Sequence, residues 1–267
     1  MPGLETGQQM DKPYTLALIG GTGLNQFSGA TETMEIDTPY GAASGAIQVL
    51  ATEPLRILFL PRHGSPHRFP PHKVNYRANI WALKEAGADH VLGVYAVGGM
   101  GGVYSPGALA APDQLIDYSW GREHTYSDSA DVPLQHVDFT WPFEGRLRKA
   151  LLAAAVAENI ALLDKACLGV FQGPRLESAA EVRRAAQDGC DIAGMTALPE
   201  AALARELGLD YAGLAVVSNF GAGIKDQPLS EDNIAETLQE PMRRVRRLVQ
   251  ALAQMLANKF VNDVKPS

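Results

Sequence analysis

Several short segments place anion-holding and hydrogen-bonding groups just after apolar runs. Gly20-Gly21-Thr22-Gly23 follows the run 15–19. Glycines there let backbone amides face an anion, and Thr22 adds a hydroxyl. The spacing is neither a Walker loop nor a dinucleotide fingerprint, so an ordinary strand-to-loop turn is the alternative reading. Pro61-Arg62-His63-Gly64 follows the run 57–60. Arg62 offers a planar donor fork matched to phosphate oxygens, and His63 adds a donor. A surface arginine beside a hinge histidine is the alternative there. Asn219 closes the apolar run 211–218, so one amide side chain stands at a strand end. His63, His67 and His72 cluster among prolines, but no acidic or cysteine partner completes a metal set, and no metal is expected. No serine sits in a nucleophile elbow.

The elements that must position these groups follow from periodicity. Strands are predicted over 15–19, 57–60, 90–97, 168–171 and 211–218. Helices are predicted over 74–86, 147–160, 179–187, 199–207 and 232–260, the last interrupted at Pro241. The run 211–218 is apolar throughout, which suits a strand buried on both faces. This alternation argues for an α/β fold around a mainly central, buried sheet. No linker or repeat divides the chain, so one domain is expected over 13–260, with tails at 1–12 and 261–267. Candidate residues just after strands match the place where open α/β sheets form ligand crevices.

The chain has 267 residues, 46% hydrophobic and 20% charged, which is ordinary globular composition. A net charge of −7 supplies no basic field for nucleic acid or anionic lipid. Phosphate chemistry on such a chain needs its positive groups concentrated locally. Cys167 and Cys190 lack metal-type spacing and read as buried thiols in a reducing compartment. The polar opening from Met1 to Lys12 is unlike a signal peptide, and no run of about 18 apolar residues exists. A soluble cytoplasmic protein is the expectation.

Taken in order, the motifs resemble the trimeric purine nucleoside phosphorylase and methylthioadenosine phosphorylase family. They are Gly20-Gly21-Thr22-Gly23, Arg62-His63-Gly64, the stretch from His72 to Lys84, Gly173-Pro174-Arg175, and Gly194-Met195-Thr196 with Pro199-Glu200. The resemblance covers roughly residues 15 to 260 and is closest to the methylthioadenosine branch. It implies a subunit on a mixed sheet flanked by helices, assembled as a homotrimer whose sites a neighbour completes. It also implies phosphorolysis, with inorganic phosphate as co-substrate and no metal or organic cofactor. Carried over residue by residue, Thr22, Arg62, His63, Thr196 and the Ala96 amide match phosphate contacts. Met195 matches the residue that grips the ribose, and His136 the histidine offered across the interface near the 5′ position. One departure is Tyr95, where the branch usually has a small hydroxyl residue.

Two further departures concern the base. The adenine-specific branch ends this strand with Asp, an aromatic and a second Asp, whereas this chain reads Asn219-Phe220-Gly221. The 6-oxopurine phosphorylases have Asn there and a Glu after their Gly-Pro motif. This chain has Leu176-Glu177 at that place. The chemistry agrees. An ionised Glu177 accepts the N1 hydrogen of hypoxanthine but faces a bare lone pair on adenine. Asn219, the expected catalytic residue, donates toward O6 and N7 as charge gathers on the leaving purine. Leu176 and Gly221 complete the expected base-side set. On the sugar side Leu229 and Ile234 fall where the resemblance implies a 5′-alkylthio pocket. A dry apolar pocket favours methylthio over hydroxyl by ~1–3 kcal/mol. The implied substrate is 5′-methylthioinosine. A general inosine/guanosine phosphorylase and a methylthioadenosine phosphorylase are the rivals. A non-catalytic nucleotide-binding protein is a rival from another class.

Overall fold

The computed structural model describes residues 14–24, 29–52, 55–225 and 231–263. In chain order the elements begin with β1 (Tyr14–Gly20), β2 (Glu32–Met34), β3 (Ile47–Thr52), β4 (Leu55–Pro61), α1 (Tyr76–Glu85) and β5 (His90–Gly99). They continue with β6 (Leu109–Ala110), β7 (Gln114–Asp117), α2 (Arg146–Ala157), β8 (Cys167–Val170) and α3 (Ala179–Gln187). The last are β9 (Ile192–Gly194), α4 (Ala197–Glu206), β10 (Asp210–Phe220) and α5 (Glu231–Asp263).

One mixed sheet runs β2-β3-β4-β1-β5-β9-β8-β7. β10 takes the whole remaining edge of β5, and β6 pairs antiparallel with β10. β1 therefore shares the opposite edge of β5 with β9. It takes His90 to Gly93, and β9 takes Gly98 and Gly99. β4, β1, β5 and β10 are mutually parallel, so all four deliver their carboxyl ends to one edge. That edge is where the turns of interest begin.

Burial on both faces explains the continuous apolar strands. Along β1, Leu16 and Leu18 face one core while Ala17 and Ile19 face the other. β10 does the same with Ala212, Leu214 and Val216 against Tyr211, Ala215 and Val217. α2 and α5 cover the first of these faces, α1 and α4 the second. The expected α/β architecture with helices flanking a central sheet is what the chain forms.

The break expected at Pro241 does not occur, because α5 is continuous through it. Leu238, Met242, Val245, Val249, Leu252 and Leu256 make one buried stripe at helical spacing across that point. Burying six such side chains, at about 1.5–3 kcal/mol each, outweighs the roughly 3 kcal/mol cost of an interior proline. The helix also continues to Asp263, beyond the expected end of the domain. Residues 1–13 and 264–267 lie outside the described residues.

Candidate active site

β1 and β4 stand in register from Tyr14 to Gly20, with Gly20 opposite Pro61. The glycine turn and Arg62 are therefore neighbours, and the Arg62 amide donates to Gly20 O at 2.9 Å. Thr22 is exposed at the tip of that turn. Arg62 is 1% exposed. Its Nε and Nη2 grip the Glu200 carboxylate, the latter at 3.0 Å, and its Nη1 donates to Val94 O at 2.9 Å. Much of the fork offered to phosphate is thus occupied by the protein. Nη1 lies against Gly21, where an added Cβ would sit 2.7 Å away. Burial opposes the guanidinium charge, but the Glu200 charge and hydrogen bonds hold its pKa above the ordinary value.

His63 is buried beside it. Its Nδ1 lies 2.7 Å from Phe69 O and its ring stacks on His67 at 4.3 Å. A carbonyl can only accept, so Nδ1 carries the hydrogen and Nε2 presents a lone pair, which makes His63 an acceptor there rather than the donor expected from the sequence. Burial, then the Arg62 charge, lowers its pKa to about 4. Ala96 lies further along β5, opposite Val216. Among the described residues no three His, Cys, Asp or Glu side chains converge as a metal site.

Thr196 occupies the N-cap position of α4, yet its side chain makes no capping bond there. Its hydroxyl is left for another partner. Leu198 is extended rather than helical, as expected before Pro199, so regular α4 begins where the sequence pattern places it. Met195 packs against Gly173, whose φ of +62° and closeness to the Met195 sulfur both exclude a side chain.

The amide at the end of β10 is oriented by its neighbour. A bulge at Ser218 shifts the register, so Asn219 faces Gly98. The Ser218 hydroxyl donates to Asn219 Oδ1 at 2.7 Å, and Asn219 Nδ2 donates to Phe220 O at 2.8 Å. The second Nδ2 hydrogen stays available. Gly221 N bonds Gly99 O at 2.8 Å. A Cβ at Gly221 would lie 3.1 Å from Val182, and one at Gly223 would collide with Ala179. The loop after Asn219 therefore rests on the first turns of α3, directly beyond Glu177. Burial pushes the Glu177 carboxyl up from its ordinary value. Leu176 beside it is 43% exposed.

The sugar-side candidates are less gathered. His136 is exposed on the connection between β7 and α2, which also exposes Trp120, Leu134 and Trp141. Ile234 is half-buried and packs against the α5-side core, and Leu229 lies outside the described residues. A surface cleft lined by Asp113, Trp141, Glu144, Gly145, Arg148 and Lys149 includes none of the candidates.

Three contributors have no role assigned from sequence, although Glu200 stands in the Pro199-Glu200 motif. Arg122 is buried and donates from Nη1 to Met195 O at 2.7 Å and Leu198 O at 2.6 Å. From Nη2 it donates to Phe171 O and Gln172 O, each at 2.9 Å. It lies in a polar loop and gave no signal. Glu200, wholly buried, is an acid among alanines and leucines in the first turn of α4, and that misfit was a readable sign. Tyr211 completes the set by donating to Glu200 at 2.9 Å.

The sequence model of the phosphorylase superfamily matches residues 15–254. A probable S-methyl-5'-thioinosine phosphorylase of Xanthomonas campestris pv. campestris is 50% identical over 225 residues, 84% of this chain and 89% of that protein. A 6-oxopurine nucleoside phosphorylase of Pyrococcus furiosus is 37% identical over 247 residues, 90% and 92% of the two chains. The structure of methylthioadenosine phosphorylase from Schistosoma mansoni with adenine superposes with a TM-score of 0.87 at 29% identity, covering 92% of each chain.

Proposed function

The chain belongs to the phosphorylase superfamily, and from that premise we propose that it cleaves 5′-methylthioinosine with inorganic phosphate, releasing hypoxanthine and 5-methylthioribose 1-phosphate. The observation that carries the reading is Asn219, an amide at the carboxyl end of β10 with its Oδ1 already engaged by Ser218. An amide hydrogen directed at O6 and N7 stabilises a leaving 6-oxopurine, and Glu177 accepts N1–H. The S-methyl-5'-thioinosine name of the Xanthomonas relative supports the sugar.

Phosphate lies beneath C1′, held by Thr22, Arg62, His63, Thr196 and the Ala96 amide. The C1′–N9 bond breaks with its electron pair leaving on the purine, and a phosphate oxygen bonds C1′ from the opposite face. The proton that the phosphate gives up reaches the purine through solvent to yield hypoxanthine. Met195 holds the ribose. Catalysis is positioning and electrostatics, with no metal or organic cofactor. The enzyme works as a cytoplasmic homotrimer. The exposed Trp120, Leu134 and Trp141 supply apolar surface for the neighbour that receives His136.

Side-by-side phosphorolysis of methylthioinosine, inosine and methylthioadenosine tests this. Methylthioinosine is expected to lead inosine by about ten- to a few-hundredfold in kcat/KM, the range of ~1–3 kcal/mol. Asn219→Asp is expected to cut that activity at least tenfold, about 1.4 kcal/mol. Equal cleavage of inosine would establish instead a general 6-oxopurine phosphorylase, the activity named for the Pyrococcus relative. Preferred cleavage of methylthioadenosine would overturn the assignment of the base.

A further inference from the structure

Arg62 and Glu200 form a buried pair, 1% and 0% exposed, next to the glycine turn. A guanidinium wholly quenched by its carboxylate attracts a phosphate dianion weakly. Whatever draws charge off that carboxylate frees the guanidinium. Tyr211 Oη donates to Glu200 Oε2 at 2.9 Å, the same oxygen that accepts Arg62 Nη2 at 3.0 Å. Tyr95 Oη touches Tyr211 Oη. Because Tyr211 gives its hydrogen to Glu200, it accepts from Tyr95. Two phenols thus feed one carboxylate, and hydrogen bonds in such a chain strengthen one another. The Tyr95 ring also lies 5.2 Å from Arg62 Cζ.

The sheet is shaped to house this chain. Gly93 on β5 and Gly213 on β10 are register partners. A Cβ at Gly93 would collide with both hydroxyls, and one at Gly213 would lie 2.9 Å from the Tyr95 ring. Both phenols are nearly inaccessible, at 2% and 4% exposure. Burial, then the Glu200 charge, keeps them protonated by pushing their pKa values far up. Their hydroxyls face Glu200 and each other.

We infer that Tyr211 and Tyr95 are positioning residues that set the pull of Arg62 on phosphate, acting through Glu200. The inference rests on the reading of Arg62 as a phosphate-holding group. It also gives Tyr95, the residue that departs from the branch pattern, a place in the interior rather than at the ligand.

The test uses the full-length enzyme with Tyr211→Phe and Tyr95→Phe, which keep the rings. Initial rates on methylthioinosine are measured across phosphate concentrations, and thermal stabilisation by inorganic phosphate alone is measured in parallel. Tyr211→Phe is expected to raise the phosphate KM about three- to tenfold and to weaken phosphate-induced stabilisation. The nucleoside KM, and kcat at saturating phosphate, are expected to stay within about twofold. Tyr95→Phe is expected to act in the same direction by less, and the double variant no more than Tyr211→Phe. A folded Tyr211→Phe with wild-type phosphate KM and stabilisation overturns the inference, as does an equal rise in both KM values. Should Tyr211→Phe fail to fold, Tyr95→Phe decides by the same criteria. Wild-type enzyme that releases no purine with phosphate overturns the functional reading and this inference together. Wild-type turnover with unmoved variants overturns the inference alone.

Discussion

His63 sits between a carbonyl that takes its Nδ1 hydrogen and a guanidinium that repels a second one. Its pKa falls from the ordinary 6.5 to about 4, so the folded protein holds it neutral while the unfolded chain protonates it first. Stability from this residue is complete above about pH 6.5 and is lost as pH falls toward 4. The shift corresponds to about 3 kcal/mol at most. Urea unfolding at several pH values should show that His63→Gln removes part of the acid-side slope. A variant with the full wild-type slope would remove His63 as its source. The same tautomer bears on function. A neutral ring with a free Nε2 lone pair accepts a hydrogen, so under the proposed function His63 would meet a protonated phosphate oxygen. Asn219 needs no titration, because Ser218 on Oδ1 fixes which end of the amide faces outward.

At the scale of elements, the strands easiest to read were those with two buried faces. β1, β4, β5 and β10 are apolar runs ending at turn residues, and they carry the glycine turn, Arg62, Ala96 and Asn219. β2, β3, β7 and β9 went unread. β2 and β9 are three residues long and β7 is only half-buried, while β7 and β9 pair with strands far along the chain. β3 pairs with β4 directly after it, but Gln48 and Thr52 interrupt its apolar pattern. Pro241 misled because propensity is local, whereas the stripe that carries α5 past it is tertiary. α3 was read correctly from its periodicity, and its start is also written locally. Ser178 accepts from Glu181 N at 3.2 Å, and Glu181 returns a bond to Ser178 N at 2.7 Å. Arg175 then holds Glu181 with two bonds of 2.8 Å. This box anchors the loop carrying Glu177. Ser178→Ala should cost ~1 kcal/mol. That is a fall of roughly 2–4 °C in melting temperature for a chain near this size. No change in melting would mean the loop is anchored elsewhere.

Across the whole molecule, the candidate site divides by sequence distance. Arg62, His63, Thr196 and Asn219 announced themselves through adjacent residues. The contacts that support them did not, because Glu200, itself a visible misfit, meets Arg62 from 138 positions away and Arg122 meets Met195 from 73. Only folding brings such partners together, and no local pattern encodes them. Arg122 has a mechanical consequence. One rigid fork spans the carbonyls of Phe171 and Gln172, which lead toward Glu177, and those of Met195 and Leu198, which flank Thr196. Two loops pinned by one planar cation open together or not at all. Their amides should therefore exchange with deuterium as a single unit in the wild type. Lysine keeps the charge but lacks the fork. In Arg122→Lys the segments 171–178 and 195–198 should exchange faster, each at its own rate. Unaltered protection in that variant would show the loops to be held by something else. If they part, the half of the site assigned to the base and the half assigned to the sugar become independent hinges. A nucleoside would then have to order both at its own entropic expense.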